Sequence, residues 1–285
     1  MSQYARRQSE PQRETRMTES LRLKKIETPV LNTARPSEDS LDGWKSQLVD
    51  VGYIIIPNAL PAPAVDHFRE RVASFEPSVG YGSASLVRLF EKGKDFVDLL
   101  LNEPIFSLME RVFGDRMHII ALQGHRMVSG NEISRFHADE IYLQRPEDVG
   151  DDVEYPPIVN TINCHYYLVD VPMELGPTEV VPGSHRACRQ PTPTDGDPPH
   201  WRGQSPVSLT CNAGDCILYS NQMWHRGAIN QTDRARLSVV PGYARRFVAQ
   251  RFWPFLNYNL TREILDECTP RQRELLGEHP RGAYG

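Results

Sequence analysis

Apolar residues recur at two different periods along this chain, and the period changes near residue 117. Before it, Leu41, Trp44 and Leu48 stand at helical spacing and predict a helix over residues 40–52, with Ser40 as its N-cap. Tyr53-Ile54-Ile55-Ile56 reads as a buried strand ended by Pro57. A second helix is expected from about Pro61, where the missing N–H costs nothing, with Val65, Phe68 and Val72 on one face. Residues 95–113 read as two short helices split at Pro104 and closed by Gly114. From residue 117 onward, short apolar runs (117–122, 158–171, 179–181, 207–209, 216–219, 236–241) alternate with Pro- and Gly-rich turns. That pattern predicts a sandwich or barrel of short strands. Near the end, Thr269-Pro270-Arg271-Gln272 has capping-box form, with Gly277 as the stop.

Charge adds a boundary that hydropathy does not show. Residues 1–36 carry eight basic and four acidic side chains, whereas the whole 285-residue chain is net −5. With few apolar residues and no sustained period, 1–36 reads as a flexible basic leader, and 37–285 as a single domain. The leader lacks the interleaved aromatics of a nucleic-acid arm. No apolar run approaches the roughly 20 residues that span a bilayer, so neither a membrane nor a nucleic-acid partner is expected. The N-terminus has no apolar signal core, and five scattered cysteines make no disulfide framework. The chain is therefore expected in the cytoplasm, with reduced thiols.

The informative pair is His137 and Asp139, in Arg135-Phe136-His137-Ala138-Asp139-Glu140. On extended backbone, residues i and i+2 share a face, so an imidazole and a carboxylate could grip one metal ion. The best third ligand is His225, just after the strand expected at 216–219. Two histidines and one carboxylate leave adjacent positions open on an octahedral metal, the facial arrangement of non-haem Fe(II) oxygenases. Eleven residues beyond His225 lies Arg236. A strand there would set Arg236, Ser238 and Val240 on one face and Leu237 and Val239 on the other. An inward-facing arginine is costly unless an anion meets it, and a dicarboxylate would pair with it in fork geometry. Arg234, nearer the polar turn, reads as solvated.

These residues resemble the phytanoyl-CoA dioxygenase-like branch of the Fe(II)/2-oxoglutarate-dependent oxygenases. The resemblance rests on the run Gly52–Leu60 followed by a helix, on His137-Ala138-Asp139, on Gly176–His185, and on Trp224-His225-x-Gly227 with Arg236 at its set distance. It covers about residues 50–245. It implies a mainly β fold with flanking helices, the double-stranded β-helix or jelly-roll, cupin-like barrel. It makes His137, Asp139 and His225 the iron ligands and Arg236 the holder of the far carboxylate of 2-oxoglutarate. Gln123 and Thr178 match positions where relatives place polar cosubstrate contacts. Relatives usually carry Asn where Leu175 stands. Asp139 favours hydroxylase-type chemistry over halogenation, because halide-binding relatives lack the carboxylate. The implied reaction uses O₂ and 2-oxoglutarate to hydroxylate, desaturate or cyclise a small molecule such as a secondary metabolite, releasing succinate and CO₂.

Other histidines and aromatics read first as structural. His185 belongs to a loop turn, His165 to a packed or hydrogen-bonded core or else to a substrate contact inside the barrel, Trp224 to packing, and the cluster Phe252–Phe255 to packing or else to the wall of a substrate pocket. The acid-rich stretch 141–155 and the Pro-rich stretch 190–204 are either lids over the barrel mouth or solvated insertions. Two other classes remain open: a cupin-like metalloenzyme that does not use 2-oxoglutarate, and a non-catalytic jelly-roll that binds a ligand. Oligomeric state is not legible in the sequence.

Overall fold

The computed structural model describes residues 26–76, 85–153, 155–192, 197–252 and 258–279. Helix α1 (Glu38–Asp50), strand β1 (Tyr53–Ile56) and helix α2 (Ala62–Ser74) come first. After them stand β2 (Ser85–Leu86), α3 (Lys94–Asp98) and α4 (Ile105–Phe113). The strand-rich part then holds β3 (Met117–Met127), β4 (Ile133–His137), β5 (Thr161–Tyr167), β6 (Thr178–Val180), β7 (Val207–Leu209), β8 (Cys216–Ser220), β9 (His225–Gly227) and β10 (Arg236–Arg245). Two short helices, α5 (Arg262–Asp266) and α6 (Pro270–Leu275), follow. The strands form two antiparallel sheets, one of six in the order β1-β8-β5-β10-β3-β2 and one of four in the order β4-β9-β6-β7. This is the expected double-stranded β-helix with helices on one side.

The faces of β10 divide the molecule. Leu237, Val239 and Tyr243 join Phe68, Phe96 and Leu108 in the core between sheet and helices, and the Tyr243 hydroxyl donates to the Leu100 carbonyl at 2.8 Å. Arg236, Ser238, Val240 and Gly242 face the barrel interior instead. In β3 the partition shifts midway. Gly242 pairs with Ala121 but Tyr243 pairs with Ile119, so Ile120 is one residue too many. A single inserted residue reverses which side chains face which way. Met117 and Ile119 therefore pack with the helices, whereas Gln123, His125 and Met127 line the interior.

Several boundaries differ from the expectation. The N-cap of α1 is Ser37, whose hydroxyl accepts from the Ser40 N–H at 3.2 Å. Strand β3 runs past 122, where its continuation turns Gln123 and His125 toward a cavity and loses the apolar pattern, and β10 runs past Pro241 to Arg245, with Tyr243 and Ala244 still buried. The stretch 133–137 and the triplet 225–227 are paired strands, and α5 was not anticipated. The leader boundary also moves. Residues 1–25 lie outside the described residues, but 26–36 are docked. The Asn32 N–H donates to Asn102 Oδ1 at 3.0 Å, Asn32 accepts from the Glu103 N–H, and Leu31 packs on the core. Asn102, buried in the helical layer, supplies a partner that charge counting could not show.

The capping box at Thr269 forms as read, with reciprocal bonds to Gln272. All five cysteines are free thiols. Among the described residues, no helix is long and apolar enough to cross a membrane.

Candidate metal centre

Strand β4 ends at His137 and β9 begins at His225, and antiparallel pairing makes the two residues partners in register. Their rings lie 4.4 Å apart between centroids. Asp139 stands just past the end of β4, where its N–H donates to the Asn221 carbonyl at 2.9 Å. Its Oδ1 lies 3.5 Å from His137 Nε2 and 3.7 Å from His225 Nε2. The donor atoms of the three residues all fall within 4.8 Å of one another.

Each donor is aimed by a hydrogen bond on its far side. His137 Nδ1 donates to the Arg135 carbonyl at 3.0 Å, and His225 Nδ1 donates to the Met223 carbonyl at 2.9 Å. A protonated Nδ1 leaves the Nε2 lone pair free on the side facing the carboxylate. Asn163 Nδ2 donates to Asp139 Oδ2 at 2.9 Å, leaving Oδ1 for an ion. Gln190 brackets the residue between two ligands: its Oε1 accepts from the Ala138 N–H at 2.8 Å, and its Nε2 donates to the Ala138 carbonyl at 2.7 Å. Ser184 accepts from the Trp224 N–H at 2.8 Å and so fixes the entry into β9.

Burial alone would raise the Asp139 carboxyl, but His225, His137 and Asn163 outweigh it and leave it well below the ordinary carboxylate range. The Asp139 carboxylate, accepting a hydrogen bond from His137 when that ring is protonated, raises His137, whereas burial lowers His225. The set offers two imidazole nitrogens and one carboxylate oxygen from one side. Such mixed donors suit a borderline divalent ion such as Fe(II) rather than Ca²⁺ or Mg²⁺, which favour all-oxygen shells.

Beside the cluster the barrel encloses a cavity of about 260 Å³. Arg236 reaches it from β10, 7 % exposed, with Nη1 buried and without a hydrogen-bond partner. Arg234 is exposed, as expected. Room for the guanidinium comes from Gly227, two residues after His225, where a Cβ would stand only 3.3 Å from Arg236 Nη2. Gln123 and Thr178 both line the cavity, and Thr178 Oγ1 shares a 2.9 Å hydrogen bond with the Tyr167 hydroxyl. The sequence-predicted residues His137, Asp139, His225, Arg236, Gln123 and Thr178 are thus all on one cavity.

The wall also contains residues that sequence reasoning did not assign to it. His125, Asn163 and Tyr219 carried no separate signal, and His165 read first as core. His165 is both buried and cavity-lining, sharing a 3.0 Å hydrogen bond with Tyr219. Burial, with His125 and Arg236 nearby, keeps it well below the ordinary histidine range. Parity was the available signal: Asn163, His165 and Tyr167 alternate on β5, as His125 does with Gln123 on β3. His185 is structural as read, its Nε2 donating to the Val49 carbonyl. Trp224 is packing, 1 % exposed with its indole N–H on the Arg189 carbonyl. Phe252 packs against Phe90 and Tyr258, whereas 253–255 lie outside the described residues. Leu175 is buried, and the left-handed turn falls on Gly176, where a side chain would collide with the Ala228 and Ile229 carbonyls.

The two stretches read as lids or insertions are knitted together. Buried Arg145 donates to the carbonyls of Ala187, Gly150 and Val153 and stacks on Tyr155. Arg189 pairs with Asp151, and Arg202 donates to the Asp151 carbonyl.

Known proteins share this plan. The chain is 26% identical over 228 residues to Dioxygenase FrzG of a Cladobotryum species, covering 76% of this chain and 71% of that one. It is 23% identical over 256 residues to Dioxygenase af480 of Aspergillus fumigatus, covering 83% and 77%. Among solved structures, the epimerase SnoN, in complex with Fe3+, alpha ketoglutarate and nogalamycin RO, superposes with a TM-score of 0.59 at 20% identity, covering 79% of this chain and 92% of that one. HygX of Streptomyces hygroscopicus, with nickel, 2-oxoglutarate and hygromycin B bound, gives 0.60 at 18% identity, covering 75% and 90%. The family model described as phytanoyl-CoA dioxygenase (PhyH) matches residues 48–238, from the end of α1 through the cluster of His137, Asp139 and His225 to the start of β10, and this chain belongs to that family.

Proposed function

We propose that this protein is an Fe(II)- and 2-oxoglutarate-dependent oxygenase acting on a small-molecule substrate, with a secondary metabolite as the expected class. The observation that carries the reading is the pairing, on one cavity, of a two-histidine, one-carboxylate cluster with a buried arginine whose Nη1 has no partner. A buried unpaired guanidinium costs several kcal/mol unless an anion completes it, so the cavity is built for one.

His137, His225 and Asp139 would hold the iron, each aimed by the bond on its far side. Bound together, Fe(II), 2-oxoglutarate and O₂ supply a two-electron oxidation of a substrate C–H bond, with release of succinate and CO₂. Arg236 receives the far carboxylate in fork geometry, in the space that Gly227 leaves open. Gln123 and Thr178 offer polar contacts from opposite walls. His165 and Tyr219, held neutral by burial, add hydrogen bonding without adding charge beside the arginine. A cupin-like enzyme that does not use 2-oxoglutarate would have no use for Arg236 in this state.

The test separates the two halves. His137→Ala or Asp139→Ala should abolish binding of Fe(II), or of Co(II) followed by its visible absorption. Arg236→Ala should keep metal binding and raise the 2-oxoglutarate requirement by roughly tenfold or more, as expected for loss of a charge-assisted pair. An Arg236→Ala protein with unchanged dependence on 2-oxoglutarate would refute the assignment of the clamp.

A further inference from the structure

The metal cavity, at about 260 Å³, is smaller than the roughly 300–1,000 Å³ of a typical ligand pocket, even before a dicarboxylate is seated. The body of a substrate must therefore lie outside it. Arg251 walls this cavity and also a second space of about 570 Å³, shared with Glu140, Tyr142 and Phe247. Tyr142 and Phe247 in turn wall a third space of about 360 Å³, together with Leu143 and Ile158. Shared wall residues set these three spaces side by side, running outward from the metal cavity.

The surface along these spaces is apolar and firmly held. Phe247 is 71% exposed, and Ile158 and Leu143 are also exposed. Phe247 is not on a loose loop: the Arg251 N–H donates to the Ile120 carbonyl at 2.7 Å, and Gln250 Nε2 donates to the Ile119 and Leu276 carbonyls. On the facing side the Tyr142 hydroxyl shares a 2.7 Å bond with Thr161 Oγ1. An apolar rim fixed in the exposed state marks a binding surface. Of the charges along it, Arg251 pairs with Glu140, and Arg245 donates its Nε–H to the Val159 carbonyl and lies over the Phe113 ring. One guanidinium set among apolar side chains is a poor match for the several phosphate charges of a coenzyme A thioester, and a polycation would meet no unpaired carboxylate among the described residues of the two outer spaces.

We propose that the substrate is a neutral, largely apolar small molecule of polycyclic or lipid-like bulk. Its oxidised end passes Arg251 into the metal cavity, and its body lies between Tyr142 and Phe247. This inference rests on the oxygenase reading above.

The full chain is titrated with Nile red, a neutral polycyclic dye that fluoresces when desolvated. Phe247→Glu and Ile158→Glu put a charge on the groove wall at exposed positions, and Met173→Glu does so at an exposed apolar position outside it. The two groove variants should weaken binding by about tenfold, and the control should not. Progesterone should displace the dye, whereas acetyl-CoA and hygromycin B should not. Equal affinity in the groove variants and the wild type, an equal loss in the control, or displacement by a charged competitor would overturn the proposal. Mn(II) binding to the wild-type chain, read by electron paramagnetic resonance on the same samples, reports on the oxygenase reading by itself. Its absence would remove that reading whatever the dye does, whereas Mn(II) binding without the dye pattern would remove the groove alone.

Discussion

A single hydrogen atom separates Gly227 from the residue that would close this site. Replacing it by Ala sets a methyl group 3.3 Å from Arg236 Nη2, a distance at which the guanidinium must give way. The expected result for Gly227→Ala is a 2-oxoglutarate dissociation constant raised by roughly tenfold, with metal affinity retained, read by calorimetry on Co(II)-loaded protein. A comparable loss of metal affinity would show that the methyl group disturbs His225 instead. At this scale the sequence was most legible for side chains whose chemistry is conspicuous, such as His137 beside Asp139 or Arg236 beside apolar neighbours. It was least legible for Gln190 and Asn163, which act through bonds to residues 52 and 24 positions away. Nothing local to an amide side chain says what it will hold.

At the scale of elements, the ligand-bearing turn after β4 depends on a stretch that composition marks only as Pro-rich. Gln190 satisfies both backbone groups of buried Ala138. Gln190→Ala strands a donor and an acceptor at a cost of roughly 1–3 kcal/mol each. The expected outcome is weaker Co(II) binding and a lower urea midpoint, with Gln190→Glu recovering only part of the loss because a carboxylate accepts but cannot donate. Strand β3 makes the complementary point. Its apolar half, 117–122, is legible, whereas its continuation is not, because Gln123 and His125 face a cavity. Strand prediction by alternation assumes that the inward face is apolar, and a functional barrel violates that assumption where the function lies.

Taken whole, the molecule buries histidines far from the candidate metal centre as well as near it. His118 and His185 are 4% and 2% exposed, and burial pushes each down to about 4 from the ordinary 6.5. The unfolded chain then binds more protons than the folded one between pH 6.5 and 4, so stability falls as pH drops through that window. Each group should cost about 2 kcal/mol at pH 5. Thermal midpoints at pH 7 and pH 5 should differ accordingly, and His118→Gln should flatten the slope. An unchanged midpoint would mean that these imidazoles stay hydrated. A single domain is the expectation because residues 99 positions apart (137 to 236) must meet around one metal, whereas the docking of 26–36 was not legible, since it depends on Asn102 in a distant layer.

The three candidate metal ligands are not held alike. The two histidines are locked by carbonyls two residues back in the chain, whereas the carboxylate depends on Asn163, Asn221 and, through Ala138, Gln190. Damage to this centre therefore has a direction. Loosening around Gln190 or in β5 loosens the carboxylate first, while the imidazole pair outlasts it. The centre would fail at its charged point first and lose its metal there, leaving two imidazoles still aimed at an empty place.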